Sequence, residues 1–179
     1  NDDNNRSAGS YLQNLVNIDT SVHWIEYTFT PKILNGSGET ITCENGVSQT
    51  VRVIVNPRPR IFVEPTADTL CYDDGITFDV STGNGDVQGN WGYDVTVSDG
   101  SNLDMIENES GDTDLTEGLY LQDIVNIDTI VHWIEYTFTP EILNGSGQNN
   151  SCQNGVAQTV KVIVNPQPKI FVEPTADTL

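Results

Sequence analysis

The sequence predicts an all-β protein made of tandem β-sandwich repeats of 109 residues, and three observations predict it. The string VHWIEYTFTP stands at residues 22–31 and again, unchanged, at residues 131–140. At this fixed offset and without a gap, residues 11–70 and 120–179 are identical at 47 of 60 positions, which indicates a tandem array. Apolar residues recur at every second position in several short runs, and no run shows the 3.6-residue period of a helix.

The chain is expected to contain parts of three successive repeat units. Residues 1–57 are expected to be the C-terminal part of one unit, residues 58–166 one complete unit, and residues 167–179 the first strand of the next unit. The boundaries fall at Asn56-Pro57-Arg58-Pro59 and its copy at residues 165–168, because two prolines separated by one residue cannot stand inside a sheet ladder. We expect the first part to hold three final strands of a sandwich whose opening half precedes them.

The alternating runs assign strands to each part. In the complete unit the predicted strands are residues 60–64, 76–80, 91–97, 120–127, 131–139 and 159–164, with one or two edge strands around Leu103, Met105 and Ile106. In the first part, the runs at residues 11–19, 22–30 and 49–55 give the three expected strands, and Pro31 ends the second one. Some seven short strands in about 100 residues indicate an immunoglobulin-like β-sandwich, in which Trp91 would be the core tryptophan.

Composition limits the partners and the compartment. The chain has 26 acidic and 7 basic residues and a net charge of -19, so it repels nucleic-acid backbones and anionic membrane surfaces. No apolar run approaches the ~20 residues of a membrane helix, so we expect no membrane insertion of this segment. Few Lys with many Asp, Asn, Thr and Gly are typical of an extracellular bacterial surface. An acidic cytosolic protein is the alternative.

The complete unit resembles the PKD-like repeats of Bacteroidota. The resemblance rests on YTFTP at residues 136–140, an Asn-Gly loop with Cys152, QTVKVIVNP at 158–166, and DTLCYDDGITFDV at 68–80. Such repeats build giant secreted surface adhesins, including flavobacterial gliding-motility adhesins. The resemblance implies an immunoglobulin-like module, type IX secretion across the outer membrane, and a structural or adhesive role without catalysis. The Trp-Asp-Phe-Gly-Asp motif of ordinary PKD domains is absent, so the resemblance is to the divergent bacterial subgroup.

The cysteines fit an oxidising compartment and leave their pairing open. Cys71 and Cys152 belong to the complete unit, and Cys43 would have its partner upstream of the chain. A Cys71–Cys152 disulfide would close a loop of about 80 residues and stabilise the fold by roughly 4 kcal/mol. An immunoglobulin topology places the two at opposite ends, beyond the ~7 Å Cα limit, unless residues 140–154 fold back. Free buried thiols are the alternative.

Histidine and tryptophan recur as single residues in each copy. His23 and His132 each stand without a second nearby ligand, whereas zinc needs at least three, so we interpret them as packed or hydrogen-bonded strand-end residues. With no nucleophile-and-base motif or phosphate loop, we expect no enzyme activity. Trp24 and Trp133 lie on the strand face opposite the core and could stack on a sugar, or pack against a neighbouring loop or linker.

Two further kinds of site are open. Carboxylates concentrated in predicted loops are candidate calcium ligands, although no D-x-D-x-D-G loop occurs and a solvated acidic surface is the alternative. These candidates are Asp73, Asp74, Asp94, Asp99 and Asp104. The resemblance also implies O-glycosylation where Asp-Thr precedes an apolar residue, at Thr69, Thr129 and Thr178, unless these short motifs arose by chance.

Two classes of function remain at this point. The first is a stalk or adhesive repeat of a large secreted surface adhesin or filament, whose partners are neighbouring units of the same chain, surface glycans or other adhesin chains. Near-identical copies and proline-stiffened linkers favour it. The second is a carbohydrate-binding module of a secreted enzyme, favoured by Trp24 and Trp133. The number of copies in the parent protein distinguishes them.

Overall fold

A computed structural model describes residues 7–33, 46–99, 111–143 and 152–173, and these residues are all-β. Their nine strands are β1 (His23–Phe29), β2 (Gln49–Val55), β3 (Ile61–Glu64), β4 (Ala67–Leu70), β5 (Asp74–Thr82), β6 (Asn90–Asp99), β7 (Gly118–Ile124), β8 (His132–Leu143) and β9 (Gln158–Val164). They form three sheets with the orders β1-β2, β3-β5-β7 and β4-β9-β8-β6. The edge strands predicted around Leu103, Met105 and Ile106 lie outside the described residues.

Strands β3 to β9 form a β-sandwich, the fold class that the sequence predicts. Strands β3, β5 and β7 form one sheet, and strands β4, β9, β8 and β6 form the other, which is an immunoglobulin-like arrangement. Alternate residues of both sheets point inward, so that β8 reads buried, half-buried, buried over most of its length. Aromatic rings fill the centre, with Phe78 at 5.0 Å from Tyr136 and 5.2 Å from Phe138 between ring centroids.

Trp91 lies at the edge of this core and not at its centre. It faces inward like Tyr93 and Val95, but it is the second residue of β6 and is only partly buried. Its Nε1–H donates to the Arg60 carbonyl at 3.2 Å, which satisfies the polar end of the indole near the end of the sandwich. The central position that we predicted for Trp91 belongs to Tyr93 and Phe138.

Strand β4 was not predicted from the sequence. Residues 67–70 pair in parallel with residues 161–164 of β9, so the chain crosses from one sheet to the other between β3 and β4. Only Leu70 of these four residues is buried, and the segment therefore shows no alternation.

Strand β8 continues through Pro140, where the sequence predicts that it ends. The β8–β9 ladder stops at Phe138, so no strand on that side requires an N–H from Pro140. On the other side Pro140 stands opposite Tyr93, which exchanges its backbone hydrogen bonds with Leu115 at 2.9 and 3.0 Å. Proline is accommodated because neither neighbour needs its missing donor.

Over its described residues, the first copy, residues 1–57, forms two strands and not the three that we expected. β1 and β2 pair in the same register as β8 and β9, but residues 7–22 form no strand. The reason is that β7 hydrogen-bonds only to β5, and residues 1–57 contain no equivalent of β5. The inner face of the first copy is consequently open: Phe29 is 46% exposed, whereas its equivalent Phe138 is 0% exposed.

The start of the next unit also forms no strand over its described residues. Residues 167–173 match residues 58–64, which include β3. β3 pairs with β5, and the sequence printed here contains no equivalent of β5 after residue 173. The extended conformation of this segment therefore depends on a partner strand.

Candidate functional site

The first copy and the complete unit meet at two loops. Residues 84–88, between β5 and β6, form what we call the joint loop, and residues 19–22, before β1, form the receiving loop. The Val22 N–H donates to the Asp86 carbonyl at 2.7 Å, and the Gly85 N–H donates to the Thr20 carbonyl at 3.0 Å. Asn84 Nδ2 donates to the same Thr20 carbonyl at 3.3 Å. The contact is thus carried mainly by backbone atoms.

The linker between the units is held by side-chain amides. Asn84 Nδ2 donates to the Arg58 carbonyl at 3.0 Å, and Asn84 Oδ1 accepts from the Arg60 N–H at 2.8 Å. Asn56 and Gln88 exchange two hydrogen bonds, because Asn56 Nδ2 donates to the Gln88 carbonyl and its Oδ1 accepts the Gln88 N–H, both at 2.8 Å. The proline-containing linker is therefore fixed along its length.

Gly85 allows the two loops to approach closely. A Cβ atom at this position would collide with Ser21 Oγ, and it would lie 3.5 Å from Ser21 Cβ. A side chain at residue 85 requires the Ser21 hydroxyl to rotate away, and a branched side chain such as Val also presses on the receiving loop.

An asparagine, buried in the complete unit and partly buried in the first copy, shapes the loop before the last two strands of each copy. Asn126 Nδ2 donates to the carbonyls of Ile130 at 2.9 Å and Val164 at 2.8 Å, and its Oδ1 accepts the Asp128 N–H at 3.0 Å. Asn17 makes the same three bonds in the first copy, at 2.8, 2.9 and 3.0 Å. This is an Asx turn tied to the end of the last strand. In the sequence, this turn corresponds to the repeated stretch Asn-Ile-Asp-Thr at residues 17–20 and 126–129.

Each histidine supports the receiving loop of its own copy. His132 Nε2 lies 2.9 Å from Asp128 Oδ2, and His23 lies at the same distance from Asp19 Oδ2. The pKa of Asp128 is held below its ordinary value by the Thr129 backbone N–H and then by His132. These contacts agree with the predicted role of a hydrogen-bonded strand-end histidine.

The candidate calcium ligands whose side chains are described lie on different elements. Asp73 lies at the turn between β4 and β5 and Asp74 begins β5, whereas Asp94 lies within β6 opposite Thr139. The Asp99 side chain and all of Asp104 lie outside the described residues. Within the described ranges, no three His, Cys, Asp or Glu side chains are placed to hold a metal ion.

A buried carboxyl that the sequence did not reveal lies beside these acids. Glu141 follows Pro140 in β8 and is 6% exposed. Burial raises its pKa, and the nearby charges of Asp94 and Asp114 raise it further, while a hydrogen bond with Gln153 opposes them. The charged form of Glu141 is therefore unfavourable in the folded unit.

Replacing Glu141 by Gln should raise the melting temperature at pH 7. A folded-state pKa above the ordinary 4.5 means that the folded protein binds more protons than the unfolded chain in the interval between the two values. Stability then falls as the pH rises through that interval, and Gln removes this loss. Circular dichroism melts at pH 7 and pH 4 should show a gain in melting temperature that is smaller at the lower pH.

Glu135→Gln, also on β8, is the control for this prediction. An equal gain at both pH values would contradict the assignment.

Cys71 and Cys152 are free thiols at opposite ends of the sandwich, so the predicted disulfide is not formed. Cys71 directly follows Leu70, which pairs with Val164 beside the first residue of β8. Cys152 forms a bridge with Ile142 near the last residue of β8. Ten residues of strand separate these positions, or about 33 Å, far beyond the ~7 Å that a disulfide allows between Cα atoms. Cys43 lies outside the described residues.

The two repeated tryptophans pack against cations on the neighbouring strand. Arg52 Cζ lies 4.3 Å from the ring centroid of Trp24, and Lys161 Nζ lies 4.0 Å from that of Trp133. Each pair is a diagonal neighbour across the ladder, where cation–π contact stabilises the sheet. The packing partner is therefore a strand residue and not the loop or linker that we predicted. One face of each indole is covered, which reduces the surface open to a sugar.

The three threonine sites remain predictions. Thr69 lies on β4 and Thr129 in the second copy of the receiving loop, and both are exposed. Thr178 lies outside the described residues. Exposure leaves the first two accessible to a modifying enzyme.

No family model and no curated protein matches the chain. Among solved structures, the chain is similar to domains 4 and 5 of the S-layer protein SbsC, with 15% identity and a TM-score of 0.31 over 78% of this chain and 70% of that one. In the part of the chain that the structure describes, no helix is long and apolar enough to cross a membrane.

Proposed function

We propose that this chain is part of a stalk of tandem β-sandwich units on an extracellular bacterial surface. The observation that carries the proposal is that the chain enters and leaves the complete unit at opposite ends. Arg60 forms a parallel bridge with Val156, just before β9, and the chain leaves after Val164 at the far end of β9. Each unit therefore advances the chain by about 30 Å before the linker is added.

Repetition and charge support the same role. The two copies build the same strand register and the same receiving loop, so added units extend the molecule without new chemistry. The net charge of -19 makes neighbouring units repel, which favours an extended string. Within this proposal, the resemblance to PKD-like repeats favours a secreted surface adhesin of Bacteroidota that projects a distal adhesive part.

Small-angle scattering tests the proposal on the 179-residue chain and on the same chain lengthened by one unit. The maximum dimension should rise by roughly 35 to 45 Å for the added unit, from strand and linker lengths. At low salt, below the ~0.1 M at which the Debye length is ~10 Å, the string should stay extended. A compact particle at low salt would contradict a stalk. Specific sugar binding that Trp133→Ala abolishes would instead favour the carbohydrate-binding module.

A further inference from the structure

A second receiving loop, residues 128–131, lies at the far end of the complete unit. Its internal hydrogen bonds match those of the first loop, because Asn126 and Asn17 hold both in the same Asx turn. The surroundings differ. In the first copy Ser21 and Val22 are partly buried against the joint loop, whereas Ile130 is 60% and Val131 is 53% exposed.

The atoms that make the first junction are present again in the second loop. The joint loop binds the Thr20 carbonyl and the Val22 N–H, and the equivalents are the Thr129 carbonyl and the Val131 N–H. Within the described residues, no backbone carbonyl accepts the Val131 N–H. The replacement of Ser21 by Ile130 leaves these backbone groups unchanged, but the larger Ile130 side chain must turn away from the position that Ser21 Oγ occupies beside Gly85.

We propose that residues 128–131 bind the joint loop of a following repeat unit, so that every junction of the array repeats one contact and fixes the angle between units. This inference rests on the proposed tandem stalk. The occupant is argued from the first junction, where the same surface already carries residues 84–88 of the unit that follows. In the sequence, residues 167–179 match residues 58–70, so the chain that follows β9 begins such a unit.

One pair of hydrogen bonds of the first junction is not expected in the second. Asn56 exchanges two hydrogen bonds with Gln88, but its equivalent Asn165 donates Nδ2 to the Leu70 carbonyl at 3.1 Å. Leu70 belongs to β4, which the first copy lacks. In a junction between complete units, the backbone contacts of the receiving loop must therefore provide most of the specificity.

Amide hydrogen exchange measured by NMR tests the proposal residue by residue. The 179-residue chain is compared with the same chain extended after Leu179 by a second copy of residues 71–166, which continues the repeat in phase. In the shorter chain, the Val22 amide should exchange slowly and the Val131 amide quickly. In the extended chain, exchange at Val131 should slow by about tenfold or more, as expected for an amide that becomes hydrogen-bonded.

Loop variants show whether the joint loop causes this protection. Gly85→Val in the added unit should restore fast exchange at Val131, and Gly85→Val in the original unit should do the same at Val22. Asp86→Asn is the matched control, since the junction uses the Asp86 backbone carbonyl and not its side chain. Slow exchange of the Val162 amide, in the central part of β9, shows that each unit remains folded.

The possible results distinguish the proposed contact between units from the proposed stalk function. Unchanged exchange at Val131 in an extended chain whose added unit is folded would overturn the joint, while an elongated scattering profile would leave the stalk intact. Unchanged exchange at Val22 in the Gly85→Val variant of the 179-residue chain would also overturn it. Protection of Val131 in a compact particle would support the contact and contradict the stalk.

Discussion

Replacing Phe138 by Ala should lower the free energy of unfolding of the complete unit by about 3 to 5 kcal/mol, the usual cost of removing a fully buried aromatic ring. Phe138 is 0% exposed and stands among three other rings. Its ring centroid lies 5.2 Å from Phe78, 6.0 Å from Tyr93 and 6.0 Å from Tyr120, which belong to three different strands. Alanine would leave a cavity between the two sheets. Urea denaturation followed by circular dichroism measures the loss.

The first copy supplies a matched control for this variant. Phe29 occupies the equivalent position in an identical stretch of sequence, but it is 46% exposed and its ring neighbours are Tyr11 and Tyr27 of its own copy. Phe29→Ala should therefore cost less than about 1 kcal/mol. Equal losses for the two variants would show that the first copy has a closed core, contrary to the fold described here.

Replacing Asn126 by Ala should lower the free energy of unfolding by about 3 kcal/mol or more. The side chain is 0% exposed and satisfies two backbone carbonyls and one N–H. Each buried group left without a partner costs roughly 1 to 3 kcal/mol. Asn126→Asp separates the contributions, because it keeps an acceptor for the Asp128 N–H and loses the donor to Ile130 and Val164. Thermal and urea unfolding should rank the wild type above Asn126→Asp and Asn126→Ala.

Asn17→Ala is the matched control for the asparagine prediction. Asn17 makes the same hydrogen bonds, but it is only partly buried, so water can replace the lost partner. Its effect on the unfolding of the complete unit should be within about 0.5 kcal/mol. A loss at residue 17 as large as that at residue 126 would show that burial does not explain the effect.

The repeat shows directly which structure is local and which is not. The Asx turn forms in both copies because its bonds join Asn17 or Asn126 to residues two and four positions away and to the last strand of the same copy. The β1–β2 register likewise equals the β8–β9 register, because both strands of the pair lie in the same copy. Sequence alone was sufficient for the 109-residue period, the paired final strands and the inward-facing alternation of β5, β8 and β9.

Other features were decided by partners far away in the chain. Residues 120–124 lie in β7, whereas the equivalent residues 11–15 form no strand, because only the complete unit supplies β5. Pro31 follows the end of β1, but Pro140 lies inside β8, because β6 extends the ladder there. β4 showed no pattern at all, since its place depends on β9.

The junction between the units also combines features that the sequence determines with features that depend on distant contacts. Sequence determined that the chain is a tandem array and that the Asn-Pro-x-Pro linkers separate its units. The junction between units joins Val22 to Asp86 and Asn56 to Gln88, pairs that no motif connects and that come together only when β5 and β6 place the joint loop beside the linker. Glu141 became a buried acid because Gln153 and strand β6, with Asp94, come to lie beside it, and Cys71 and Cys152 are separated by the length of β8. Local pattern specifies which strands form, but contacts between distant residues exist only once those strands have paired and packed.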